Sequence, residues 1–275
     1  MKISKTLYIR YLFTLLLPLS GLLQACDMIE YHPYDLDIDG ETEVNARNIQ
    51  RIETALDGKK EFSFAVISDT QRWYDETEDA VADMNEKGGI DFVVHTGDLS
   101  DFGMKLEFEK QRDILNGLSV PYVCLLGNHD CLATGKEVFN RIFGEENFSF
   151  TAGDVLFICL NTNALEFDYS DAIPDFSFLE KLLKTLSPDI RRTIVAMHAG
   201  PYSEQFNNNV ARVFQLYLRQ FPGLQFCVYG HGHSIQVNDF FDDGILYYEC
   251  TCAKKRAYLR FTLKENEYLY EVVNY

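Results

Sequence analysis

The sequence predicts an α/β fold, on two observations. From about residue 61 a pattern of strand, loop and helix repeats, and most of its strand candidates are continuous apolar runs of the kind buried on both faces. Five of those runs also stop in loops that carry Asp, Asn, Gln or His, the residue types found where an α/β sheet gathers a ligand site at its strand ends. The chain has 275 residues and 47% hydrophobic content, enough for one large domain or two small ones with a sizeable core.

Residues 1–25 read as an export signal, with a basic start (Lys2, Lys5, Arg10) followed by a nearly unbroken apolar stretch from Tyr11 to Leu23. That stretch falls short of the ~20 residues a transmembrane helix needs. Leu23-Gln24-Ala25-Cys26 resembles the lipobox of bacterial lipoproteins, which implies cleavage before Cys26 and acylation of its thiol. The expected location is therefore the bacterial cell envelope, lipid-anchored on a periplasmic or outer-surface face; an ordinary cleaved signal with an incidental cysteine is the alternative. Residues 26–60 form the next segment. Seven acids and no Lys or Arg lie between Asp27 and Glu43, a pattern expected of a solvated tether, and a short helix is expected over Val44 to Leu56.

The domain is expected over residues 61–275. Its strand candidates are Phe62 to Ser68, Asp91 to His95, Pro121 to Leu126, Asp154 to Leu160, Arg192 to Met197 and Leu224 to Tyr229. The helix candidates between and after them are Glu76 to Glu86, Met104 to Leu118, Lys136 to Phe143, Phe176 to Leu186 and Asn209 to Phe221. The aromatic-rich end, Ile245 to Tyr275, turns over near Lys264 to Glu267 and reads as two or three antiparallel strands.

Charge narrows the function classes. The chain holds 42 Asp and Glu against 25 Lys and Arg, a net charge of −17 that becomes −20 without residues 1–25. Such a surface repels a nucleic-acid duplex, so none is expected as partner, and a phosphorylated substrate would need cations to receive it. Beyond Cys26 six cysteines remain, and Cys124, Cys159 and Cys227 lie in apolar runs where a buried free thiol is the expected state.

The loops after the runs carry the chemistry. They read Asp69-Thr70-Gln71, Gly97-Asp98-Leu99-Ser100-Asp101, Gly127-Asn128-His129-Asp130, His198, and Gly230-His231-Gly232-His233. Of the six histidines, four (His129, His198, His231, His233) stand there. Carboxylate, amide oxygen and imidazole together suit Mn, Fe, Zn or similar divalent ions, and a carboxylate with two oxygens can bridge a pair of them. Such a pair can hold a bridging hydroxide, polarise a phosphoryl group and neutralise charge during in-line displacement.

In this order the motifs D-x-Q, GDxxD, GNHD, H and GHGH resemble the calcineurin-like metallophosphoesterase superfamily, over residues 69 to 233. The resemblance implies two mixed β-sheets packed as a sandwich flanked by helices, with a dimetal site at the strand C-terminal ends. It implies Asp69 and His233 as ligands of a first divalent metal, Asp98 as the bridge, and Asn128, His198 and His231 as ligands of a second. Gln71 stands where most members carry a ligating His. His129 resembles the histidine that contacts the phosphate and protonates the leaving oxygen, and Asp101 the acid that orients it. The implied activity is hydrolysis of a small phosphorylated substrate, monoester or diester.

Three departures qualify it. Gln71 implies a first metal bound more weakly, through the amide oxygen as a ligand, or without that ligand, and leaves the identity of the metals open. Phe102 after Asp101, and GNHD in place of GNHE, argue against a protein phosphatase. His198 is followed by Ala199-Gly200-Pro201, so the loop from Tyr202 to Asn209 is free to be shaped for a particular substrate. A degenerate member that acts as a cell-envelope binding protein without turnover is the rival reading, and metal content separates the two. Taken singly, Asp69, Asp98 and Asn128 could be turn residues and His198 a core histidine; the joint occurrence in order weighs against that. His95 is expected to pack near the site without binding, and His32 belongs to the tether. Trp73, Tyr74, Tyr202 and Phe206 are candidates for an aromatic substrate wall or for simple packing, and Phe102 for a pocket floor. Cys131 lacks a base that would make it a nucleophile.

Overall fold

The computed structural model describes residues 32, 35–168 and 170–275. The chain divides into two units, Met1–Asp35 and Leu36–Tyr275, and the second is described below. The export signal and Cys26 lie outside the described residues. Among the described residues no helix is long and apolar enough to cross a membrane.

The elements of the second unit run α1 (Val44–Leu56), β1 (Phe62–Ile67), α2 (Tyr74–Lys87), β2 (Phe92–His95), α3 (Lys105–Leu115), β3 (Tyr122–Cys124), α4 (Gly135–Ile142), β4 (Phe148–Ala152) and β5 (Val155–Leu160). They continue with α5 (Phe176–Lys184), β6 (Arg192–Met197), α6 (Ala211–Leu218), β7 (Leu224–Tyr229), β8 (Gln236–Asn238), β9 (Leu246–Glu249), β10 (Ala257–Leu263) and β11 (Tyr268–Asn274). One sheet has the order β11-β10-β1-β2-β3, the other β4-β5-β6-β7-β9-β8. Both are mixed, as expected: β1, β2 and β3 are parallel and β10 antiparallel to β1, while β5, β6, β7 and β9 are parallel with antiparallel β4 and β8 at the edges.

Strand alternation explains why the apolar runs are continuous. Phe62, Phe64 and Val66 of β1 face Phe157 and Cys159 of β5, Ile194 of β6 and Phe226 of β7 in a core between the sheets. The intervening Ala65 and Ile67 pack outward on α2, α3 and α4, and Ile158, Val195 and Cys227 on α5 and α6. Each of these central strands therefore buries both faces. Aromatic rings interlock across the sandwich, with Phe64 at 5.2 Å edge-on to Phe157 and Phe226 at 4.7 Å stacked on Phe261. Removing one such ring costs about 3–5 kcal/mol.

Three expectations change. The segment expected to be tether as far as Glu43, ahead of a domain from residue 61, belongs from Leu36 onward to the same compact unit as that domain. Its carbonyls are bound by cations of the helices: Arg112 Nη1 donates to Asp39 O at 2.6 Å and Glu41 O at 3.0 Å, Lys105 Nζ to Asp37 O at 2.5 Å, and Arg141 Nη1 to Leu36 O at 2.7 Å. Acidic side chains do not reveal such main-chain docking. In α1, Asn45 donates to the carbonyl of Cys124 and accepts from its N–H, both at 2.8 Å, and so occupies the open edge of β3. Second, β9 does not join an antiparallel terminal set; it pairs parallel with β7, leaving β10 and β11 as the hairpin. Third, β4 and β8 were not expected from the pattern. No disulfide joins the six described cysteines.

Candidate metal centre

Five loops carry the candidate residues to one end of the two sheets. Asp69 follows β1, Asp98 follows β2 and Asn128 follows β3, all in the first sheet; His198 follows β6, and His231 and His233 follow β7, in the second. The loops are tied to each other: Asp69 N–H donates to Gly97 O at 3.0 Å and Gly230 N–H to His198 O at 2.9 Å. Close approach needs glycine. A Cβ on Gly97, at φ 105°, would lie 2.8 Å from His198 Nδ1, and one on Gly127 would collide with the backbone and carboxylate of Asp98. Asp69, Asp98, His231 and His233 hold left-handed φ values of 51°, 60°, 70° and 53°. Such conformations cost on the order of 1–3 kcal/mol each and persist where surrounding structure fixes them.

The donors converge in two groups that share Asp98. Asp69, Asp98 and His233 each offer a ligand atom within 4.8 Å of one another. Asp69 Oδ1 is buried, lies 3.2 Å from His233 Nε2, and has no hydrogen-bond partner. In the other group Asn128 Oδ1 lies 3.0 Å from His198 Nε2 and 3.0 Å from His231 Nδ1, while Asp98 Oδ1 is 3.4 Å from His198 Nε2.

Proton accounting decides what these groups fit. His198 Nδ1–H donates to Thr96 O at 2.9 Å, because a carbonyl can only accept. Burial pushes the His198 imidazole down to about 4, so at neutral pH its Nε2 carries a lone pair that faces the oxygen of Asn128. His231 turns Nδ1 to the same oxygen, with Nε2 3.1 Å from Glu204 Oε1. A cation between the two ring nitrogens and the amide oxygen would be held by all three. The carboxylates agree. Burial, then Asp69 and Asp130, raise Asp98 well above the usual carboxylate range. Burial likewise works against charge on Asp69, but the His233 and His198 imidazoles outweigh it and bring Asp69 down to about 2. A divalent ion would offset the burial and the repulsion that raise Asp98. The residues therefore fit a metal pair.

Two further expected residues make contacts of their own, and the second needs correction. Gln71, for which a first metal without that ligand is one of the open readings, donates from Nε2 to Asp98 Oδ2 at 3.2 Å. Asp101 does not orient His129 through its carboxylate: His129 Nδ1–H donates to the Asp101 main-chain oxygen at 2.9 Å, and the carboxylate is ion-paired with Arg72. His129 is nevertheless placed at the centre, its own N–H bound to Asp98 Oδ1 at 2.9 Å.

Sequence reasoning passed over three residues. Asp130, fully buried, accepts from the N–H groups of Gly127, Asp98 and Leu99 through Oδ2 at 2.9–3.2 Å, and from N–H and Oγ of Ser100 through Oδ1 at 2.8 Å. It shapes both loops that carry Asp98 and Asn128. Arg72, 63% exposed, and Glu204 add one charge of each sign at the margin. The last Asp of GNHD was the only signal for any of them.

His95 is buried as expected: its Nε2 pairs with Thr70 Oγ1 at 2.9 Å and its Nδ1 accepts from Gly97 N–H at 3.1 Å. Among the aromatic candidates, Trp73 stands edge-on to His233 at 6.0 Å, and Tyr202 is half exposed. Phe206 is instead core, and Phe102, 57% exposed, is no pocket floor. Burial raises the Cys131 thiol far above its usual range, which leaves it no nucleophile.

A two-sheet α/β sandwich with carboxylate, amide and imidazole donors gathered at its strand ends defines the class of protein. Residues 62–234 match the family model of calcineurin-like phosphoesterases, and the chain belongs to that family. It is 28% identical over 153 residues to a 3',5'-cyclic-nucleotide phosphodiesterase of Nostoc sp., covering 53% of this chain and 56% of that one. It is also 28% identical over 170 residues to the DNA double-strand break repair protein Mre11 of Sulfolobus acidocaldarius, covering 56% and 41%. The chain thus spans about half the length of these curated relatives. The fold matches a dimetal phosphatase of Danio rerio with TM-score 0.61 at 13% identity, covering 78% of this chain and 96% of the other. It matches a purple acid phosphatase of yellow lupin with TM-score 0.60 at 13% identity, covering 78% and 51%.

Proposed function

We propose that the protein is a metal-dependent hydrolase of small phosphate esters. The observation that carries this reading is the meeting of the His198 and His231 ring nitrogens at the side-chain oxygen of Asn128, beside Asp98, whose carboxylate also belongs to the group of Asp69 and His233. In this reading Asp69 and His233 hold one divalent ion, Asn128, His198 and His231 hold the other, and Asp98 serves both. When bound, such a pair supplies Lewis-acid activation of water and of the phosphoryl group. The identity of the ions within the Mn, Fe and Zn range follows from loading experiments.

The chain's own groups do the rest. Asp98 anchors the loop of His129 through the main chain, and the Asp101 carbonyl holds the proton on His129 Nδ1, which turns Nε2 to the substrate. Protonated there, His129 donates to the leaving oxygen as general acid. Arg72 at the margin offers a cation to an incoming phosphate on a surface that is otherwise negative. The similarity to a cyclic-nucleotide phosphodiesterase favours a diester. The basic, apolar start and Cys26 support a lipid-anchored protein of the bacterial cell envelope.

The test is turnover of p-nitrophenyl phosphate and bis(p-nitrophenyl) phosphate after reloading with Mn, Fe, Zn or Mg, together with elemental analysis. Asp98→Asn and His231→Ala are expected to abolish turnover while circular dichroism stays unchanged. Full activity in both variants rejects the mechanism. No turnover with one ion or none per chain would favour the binding-protein reading, for which the substitution at Gln71 is the one supporting feature.

A further inference from the structure

Next to His231, the loop after β6 and the strands β7, β8 and β9 enclose a cleft of about 340 Å³. Three of its lining side chains are aromatic and tilted against one another. Tyr202 and Phe240 have ring centroids 5.7 Å apart at 64°, and Tyr229 and Phe240 6.1 Å apart at 52°. Two carboxylates, Glu204 and Glu249, line the same space, and among the described lining residues there is no Lys or Arg.

Glu204 Oε1 lies 3.1 Å from His231 Nε2, and Glu249 Oε2 accepts from Tyr229 Oη at 3.2 Å, which sets both carboxylates on the wall of the cleft. The amides that could serve an anion are committed elsewhere, with Asn238 Nδ2 donating to Tyr229 Oη and Gln236 Nε2 to Ser234 Oγ, both at 3.0 Å. A second phosphate would find no neutralising partner here. Tilted aromatic faces with carboxylates nearby suit a cation that is too weakly hydrated to prefer water.

We propose that this cleft seats a methylated ammonium group on the alcohol portion of the phosphate ester. The assignment rests on the phosphoesterase reading for its orientation, since His231 belongs to both the cleft and the metal centre. A choline-type alcohol, in a soluble ester or a lipid head group, would then lie in the cleft with its phosphate over the ligand cluster.

Calorimetry on the full chain with choline and with its uncharged isostere 3,3-dimethylbutanol reads the cleft without turnover. Choline is expected to bind at least about 10-fold more tightly, within the range of a desolvated cation over aromatic faces. Tyr202→Ala and Phe240→Ala should each weaken choline by about fivefold or more, and Phe240→Tyr, which keeps the ring, should retain it. Equal affinity for the two alcohols, or no binding of choline, overturns the proposal. Choline binding with no hydrolysis of any ester would instead sink the phosphoesterase reading and leave the cleft assigned. Given both, preferred cleavage of glycerophosphocholine over phosphatidylcholine vesicles identifies the soluble source, and the reverse the lipid.

Discussion

His231 Nε2 lies 3.1 Å from Glu204 Oε1, so the outer nitrogen of this imidazole is bound by a carboxylate while its inner nitrogen faces Asn128. A carboxylate behind a ligating histidine fixes the tautomer and makes the inner nitrogen more basic. Glu204→Ala should therefore weaken metal retention by about 10-fold, and Glu204→Gln, which can still accept from Nε2, by less. Chelator competition monitored by metal analysis reads this; unchanged affinity in the alanine variant would show that the contact carries no weight.

Gln71 Nε2 donates to Asp98 Oδ2, and it is expected to act on the centre through this bond rather than as a ligand. Gln71→Ala should leave two ions bound at saturation with affinity lowered by about 10-fold, whereas Asp69→Ala should lose an ion outright. Gln71→His should tighten metal retention by supplying a nitrogen donor. If Gln71→Ala loses an ion in the same assay, the amide was a ligand after all.

Asp130 gathers four N–H groups and a hydroxyl from two loops. Asp130→Ala leaves these buried donors without an acceptor and should cost about 3 kcal/mol or more. Urea unfolding of the metal-free protein measures it. A loss below about 1 kcal/mol would mean that the loops hold their shape without the carboxylate.

The Asp101 carboxylate pairs with Arg72 and not with His129. Asp101→Asn should thus change kcat by no more than about threefold, while His129→Gln removes the proton donor and should lower kcat by about 100-fold or more. Steady-state rates on a substrate with a poor leaving group give the comparison. Equal, large losses in both would restore the carboxylate as the orienting group.

Burial brings His95 down to about 3 from an ordinary 6.5. Between those values the unfolded chain binds a proton that the folded chain refuses, so this histidine makes stability rise with pH and fall as pH drops through 6.5 toward 3. His95→Gln should flatten the pH dependence of unfolding free energy in that window by up to about 1.4 kcal/mol per pH unit. Identical slopes in wild type and variant would show that the buried ring titrates normally.

The strands were legible because each buries both faces, which leaves an apolar run with sharp ends, as in β1, β6 and β7. Gln236–Asn238 was not: a three-residue edge strand with largely exposed side chains has no pattern to read. Phe148–Ala152 mixes polar and apolar residues for the same reason of being an edge. At the site, the ligand types were visible because metal chemistry admits few of them. What Gln71 and Asp101 do with those types was not, since that depends on which end of a side chain or peptide is turned inward. Glu204, Arg72 and the docking of residues 36–41 on Arg112, Lys105 and Arg141 arise from loop paths, on which local composition is silent.

The candidate donors for each proposed ion are drawn from both sheets, Asp69 with His233 and Asn128 with His198 and His231. Loading would rivet one layer to the other at a point remote from the Phe64–Phe157 and Phe226–Phe261 contacts of the core. Occupancy and melting temperature should then rise together, by RT ln(1 + [L]/Kd), so that a chelator acts on this protein as a mild denaturant and thermal shift becomes a gauge of which cation the cell supplies.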